Sequence, residues 1–242
     1  MSWHLPVLLL CVSFLASARP SEPESPGPLP GTSEIRGKIT ITRKPDALEG
    51  HLQDPLIARY PSHEGNEAAL MLHSPRATSL KLSERSVVFL ESEELDGGHY
   101  PLPERKPVLD QRNLQFHPQV LPILIGTSVD FPNRDNLFHN VFSYSQAKEF
   151  DLGRYPKNDS RSVTFDKPGL VRVYCDIHSN MSATILVLQH PFFATPGDDG
   201  VYVIPNVPAG KYTIALWYDR DIVERRQIEI KQGEPIQVDF TF

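Results

Sequence analysis

Cys175, His178 and Met181 lie within seven residues of one another, in the stretch "VYCDIHSNMSATILV" at 173–187. A thiolate, an imidazole and a thioether at three-residue steps can converge on one ion if the chain between them turns tightly. Thiolate and thioether are soft donors and imidazole is borderline, a mixture that selects copper over hard cations such as Mg²⁺ and Ca²⁺. A structural zinc site usually draws four ligands from Cys and His and leaves Met out. Sulfur is scarce here: the 242 residues hold two cysteines, Cys11 and Cys175, and three methionines, Met1, Met71 and Met181. Two sulfur side chains flanking one histidine therefore make a pointed chemical signal.

A trigonal set of two His and one Cys, with a distant axial Met, is the blue-copper arrangement, so a second imidazole is needed. Nine histidines are available: His4, His51, His63, His73, His99, His117, His139, His178 and His190. His139 is the best placed. It follows "VDFPNRDNLF" and opens "HNVFSY", one strand-and-turn unit upstream of the cysteine loop. His117 and His190 each precede a proline and read as turn histidines, outside the ligand set.

The elements that must carry these residues are strands. Residues 35–42 ("IRGKITIT") alternate apolar and polar, as a half-buried strand does, and 86–91 ("SVVFLE") is a second. Residues 44–84 read as loop, with one helical turn in "NEAALML". Short strands follow around 114–116, 121–131, 140–143, 160–165, 170–175 and 183–189, parted by "PNRDN", "YPKND" and "DKPG". After "FFATPGDDG" come "VYVIP", "KYTIALWY", "RQIEI" and "IQVDFTF". With 23 prolines and no long helical periodicity, the chain is expected to be all-β, an antiparallel sandwich or barrel.

Composition narrows the function. Twenty-four Lys+Arg against 30 Asp+Glu give a net charge of −6 with no basic block, which argues against nucleic acid as a partner. The N-terminus is apolar over residues 5–15 and ends in Ala16-Ser17-Ala18, the small-x-small form of a signal-peptidase site. Residues 1–18 read as a signal peptide, 19–33 as a flexible Pro/Ser-rich linker, and no stretch reads as a transmembrane segment. Export to the periplasm or outside the cell removes Cys11 with the leader. Cys175 is then a lone thiol in an oxidising compartment, safe only if buried or metal-bound.

"FHNVFSY" followed by "VRVYCDIHSNM" resembles the cupredoxins. "HNV" and "YC..H" are similar to plastocyanin, and the Cys-x₂-His-x₂-Met spacing to the ligand loop of amicyanin. The resemblance covers about 111–189 and implies a Greek-key β-sandwich with His139, Cys175, His178 and Met181 as ligands of one copper ion. It further implies that the Asn140 side chain ties the upstream ligand turn to the cysteine loop. Where amicyanin carries Pro after the downstream His, this chain has Ser179. The flanks, including "GVYVIPNVPAGKYTIALWY", resemble the transthyretin-like, carboxypeptidase-regulatory type of β-sandwich, but its two parts lie about 110 residues apart. An insertion accounts for this: a cupredoxin domain at 101–192 within a discontinuous outer sandwich of 34–100 and 193–242. Composite proteins of this kind resemble those called methylamine-utilisation-like.

The expected function is one-electron transfer by a mononuclear copper site cycling Cu(II)/Cu(I), with a redox partner protein docking near His178. The rival readings are non-redox copper sequestration or delivery, and an interaction module with a structural copper ion. A copper enzyme with a second metal centre would need further His pairs, and the chain has no His-x-His motif, so no catalytic residues are expected.

Overall fold

A computed structural model of the protein describes residues 31–42 and 81–242. The leader at 1–18, the linker up to residue 30 and the loop reading of 44–80 lie outside the described residues.

Among the described residues the fold is all-β with one short helix. The chain enters as β1 (Thr32–Thr40), then α1 (Leu82–Arg85) and β2 (Ser86–Glu91). A run of nine strands follows: β3 (Asp110–Arg112), β4 (Gln115–His117), β5 (Val120–Leu124), β6 (Ser128–Pro132), β7 (His139–Ser145), β8 (Lys148–Tyr155), β9 (Ser160–Thr164), β10 (Gly169–Tyr174) and β11 (Ser182–Leu188). The chain closes with β12 (Phe193–Ala194), β13 (Val201–Pro208), β14 (Gly210–Tyr218), β15 (Asp221–Ile230), β16 (Ile236–Gln237) and β17 (Phe240–Thr241).

These strands form four stacked layers. The first is β13-β1-β16, with β17 also paired to β1, and the second is β12-β2-β14-β15. The third is the five-stranded sheet β5-β11-β10-β7-β8. The fourth holds the β6–β9 pair and the β3–β4 hairpin, linked by bridges from Val108 to Asp130 and Gln111 to Asn133.

Alternation along the strands explains the stacking. In β2, Val88 and Leu90 face the core between the first two layers, with Ile35, Ile204, Ile214, Leu216 and Phe240. Val87 and Phe89 point the other way, meeting Ala215 and Trp217 of β14 and Val120, Leu170, Leu186 and Leu188 of the third layer. Val171, Val173, Ile185 and Val187 on that layer's far face pack with Val129, Phe131 and Phe165. Strands buried on both faces read as near-continuous apolar runs rather than alternating ones; "VVFL" has that form, and "ATILVL" has it but for Thr184, whose hydroxyl accepts from Arg172.

The structure departs from the sequence expectations at four places. The stretch 121–131 is two strands, because Gly126 turns with φ +87° and donates its N–H to the Phe165 carbonyl. Strand β8 was not foreseen. It is an edge strand with Lys148, Glu149, Asp151 and Arg154 among eight residues, so its alternation is faint. The sheets are mixed rather than purely antiparallel, since β11 runs parallel to β5, and β1 to β16 and β17. Strand β1 starts at Thr32, inside the stretch expected to be linker.

Candidate metal centre

Antiparallel pairing of β7 with β10 sets Phe142 opposite Tyr174. The start of β7, at His139, therefore lies beside the residues that leave β10, beginning with Cys175. The segment 175–181 is a closed loop: Met181 N–H donates to His178 O at 2.9 Å, and Cys175 N–H to Met181 O at 3.3 Å. Tyr174 then pairs with Ser182 as β11 begins. One hairpin end thus carries the thiol, an imidazole and the thioether, and the neighbouring strand supplies a second imidazole from 36 residues upstream.

The three donor atoms converge. His139 Nδ1 and His178 Nδ1 are 3.0 Å apart, and each is 3.9 Å from Cys175 Sγ. Among the described residues this is the one group of three or more His, Cys, Asp or Glu side chains able to share an ion. The two rings meet edge to face, 4.8 Å between centroids. His139 is fully buried, Cys175 and Met181 nearly so, and His178 is partly exposed. Met181 packs in the same core as Cys175.

Bond lengths test the fit. Metal–nitrogen bonds of about 2.0–2.1 Å and a metal–sulfur bond of about 2.3 Å, spread at about 120°, place the nitrogens about 3.5 Å apart and each about 3.8 Å from sulfur. The observed triangle has that shape and nearly that size. At 3.0 Å the two Nδ1 atoms can share a proton in an N–H···N hydrogen bond, and the same two lone pairs and the thiol sulfur can instead close on one cation. A soft-to-borderline donor set of this kind suits copper.

Asn140 is buried, and its Oδ1 accepts the Asp176 N–H at 2.7 Å, joining the β7 turn to the cysteine loop. Its Nδ2 donates to Asp151 on β8. The remaining surroundings were not legible in the sequence. His139 Nε2 lies 2.9 Å from Asp135 Oδ2. Burial pushes the Asp135 carboxyl up, but the N–H groups of Leu114 and Asn113 and the His139 ring outweigh it, leaving the group below its ordinary value. Burial, reinforced by His139, holds the His178 ring below its ordinary value against the pull of Asp135 and Asp176. His117 lies elsewhere, its Nδ1 3.1 Å from Glu84 on α1, and His190 is buried against Phe192.

No protein-family model matches this chain, and no curated protein matches it. Several solved structures overlay part of it. A copper-containing nitrite reductase from Thermus scotoductus SA-01 is 26% identical over 38% of this chain, with a TM-score of 0.34. That overlay takes in only 24% of the reductase. A reduced amicyanin variant is 23% identical over 36% of this chain and 86% of its own, with a TM-score of 0.33. A purple cupredoxin from Nitrosopumilus maritimus is 23% identical over 34% of this chain and 96% of its own, with a TM-score of 0.30. These likenesses are partial. No helix among the described residues is long and apolar enough to cross a membrane.

Proposed function

We propose that this chain is an exported, cupredoxin-like copper protein that carries single electrons and is not itself an enzyme. The observation that carries the reading is the triangle of His139 Nδ1, His178 Nδ1 and Cys175 Sγ, with edges of 3.0, 3.9 and 3.9 Å. His139, Cys175 and His178 would hold the ion, with Met181 as a further candidate donor from the same loop. Copper, when bound, supplies a one-electron couple between Cu(II) and Cu(I). The protein's part is to keep the donors still. His139 is clamped by Asp135, the cysteine loop is tied to β7 through Asn140, and Met181 is packed in the core. A site that cannot relax between two charge states needs little reorganisation to change its charge.

The surface supports a docking edge. His178 is the partly exposed ligand, and its neighbour Ile177 is exposed. Leu137 and Phe138, immediately before His139, are 50% and 57% exposed. Large apolar side chains left in water around one site favour a partner's surface, and redox encounters use small interfaces. A redox protein is the partner this rim suits. Export rests on the N-terminal sequence alone, with its apolar run and Ala16-Ser17-Ala18.

Voltammetry of the copper-loaded mature protein tests the carrier role. A reversible one-electron wave is expected. Tight copper binding without a reversible wave would instead favour sequestration or delivery.

A further inference from the structure

The carboxylate of Asp135 is gripped from two sides. The tip of the β3–β4 hairpin holds Asn113 and Leu114 in left-handed conformations, with φ of 55° and 59°. Such φ values are uncommon for Leu, and the Leu114 side chain is compensated by packing against the inner core. The conformation turns two successive backbone N–H groups toward one point, a concavity that suits an anion. Asn113 N–H donates to Asp135 Oδ1 at 2.7 Å, and Leu114 N–H to Oδ2 at 2.9 Å. From below, Asp135 N–H donates to Asn133 Oδ1 at 2.9 Å. Asn133 is itself fully buried and donates to the carbonyls of Leu137 and Tyr155. The carboxylate so fixed has one further neighbour, His139 Nε2 at 2.9 Å.

An acceptor-only group at that distance demands a proton on Nε2. A neutral imidazole carries one proton, so Nδ1, the atom facing Cys175 and His178, is left with its lone pair free. Resting on the copper reading above, we propose that Asp135 is the positioning residue for His139. It selects the Nε2–H tautomer, stops the ring from turning, and sets a fixed negative charge one imidazole away from the ion. The β3–β4 hairpin tip is its holder. The negative charge favours the more highly charged oxidation state, so Asp135 lowers the reduction potential of the site as well as raising its affinity for Cu(II).

Two variants of the mature chain test this. Asp135→Ala removes the acceptors, and Asp135→Asn keeps the side-chain size and one acceptor oxygen while removing the charge. In the metal-free protein, long-range ¹H–¹⁵N NMR should find His139 as a single Nε2–H tautomer in the wild type and as a mixture in Asp135→Ala. In the copper-loaded protein, Asp135→Asn should bind Cu(II) about 10–100-fold more weakly. Each tenfold loss confined to Cu(II) raises the potential by about 59 mV. An Asp135→Asn variant that folds with wild-type potential and wild-type affinity overturns the proposal, because a purely architectural carboxylate would move neither. An unchanged His139 tautomer in folded Asp135→Ala overturns it too. If Asp135→Ala does not fold, Asp135→Asn decides. Should the wild type take up no copper through Cys175, the copper reading fails, while the metal-free NMR comparison still judges the tautomer role.

Discussion

At the scale of single residues, the site depends on side chains that hold other side chains. Asn140 spans from β7 to the backbone of Asp176, in the loop that carries Cys175 and His178. Asn140→Ala removes that acceptor and should cost about 1 kcal/mol in urea unfolding of the metal-free protein. The loss of copper affinity should exceed what that stability change alone explains. The convergence of Cys175 and His178 with His139 was legible in the sequence because a thiol, an imidazole and a thioether at fixed spacing form a rare pattern that suggests one chemistry. Asn140 was expected only through the resemblance of "FHNVFSY" to the cupredoxins. Asp135 was not. An acidic residue in "PNRDN" looks like any solvated turn, and its meaning comes from two backbone N–H groups more than twenty residues upstream, at Asn113 and Leu114.

Elements impose their own demands. Gly37 lies in β1 between β13 and the returning C-terminal strands, and a Cβ there would stand 1.8 Å from the Val238 carbonyl oxygen and 2.7 Å from the Tyr202 ring. Gly37→Ala must therefore push β1 away from its neighbours in the same sheet, and thermal unfolding should show a loss well beyond the few tenths of a kcal/mol typical of a neutral surface change. In "IRGKITIT" this glycine looks like a weak point in a strand. The close approach that requires it appears only once the strands are assembled. Two buried phenols set an alkaline limit. Burial pushes the Tyr155 and Tyr202 hydroxyls well above their ordinary value of 10.0. Their protonated forms are favoured by folding, so this contribution is intact below pH 10.0 and shrinks as pH rises above it, when the unfolded chain ionises first. Each phenol contributes a slope of about 1.4 kcal/mol per pH unit. Tyr155→Phe should flatten the alkaline limb of a stability–pH curve by about one such slope, though it leaves Gln111 without the hydroxyl it donates to.

Across the whole molecule, the second and third layers share an apolar interface. Phe89, Ala215 and Trp217 from the outer layers meet Leu170, Leu186 and Leu188 on the back of the sheet that carries Cys175. Arg172, three residues before Cys175, lies over the Trp217 ring with its guanidinium 5.5 Å from the centroid and donates to Arg220 O. Truncation of a buried Trp costs about 3–5 kcal/mol. Trp217→Ala should lower the free energy of unfolding by that much, with all four layers still melting together and the visible spectrum of the folded copper form unchanged. Separate transitions in the variant would show that the interface is what makes them one cooperative unit. Four layers of strands could not be inferred from period-two patterns alone. Near-continuous apolar runs such as "ATILVL" betray a second buried face, but not which sheet covers it.

The most direct measurement is the optical and paramagnetic spectrum of the mature protein reconstituted with Cu(II), taken beside that of Cys175→Ser. The wild type should show an intense visible charge-transfer band from the cysteine sulfur to copper, with one copper bound per chain, and Cys175→Ser should lose that band. Identical spectra for the two proteins, or no copper uptake by the wild type, would contradict the account.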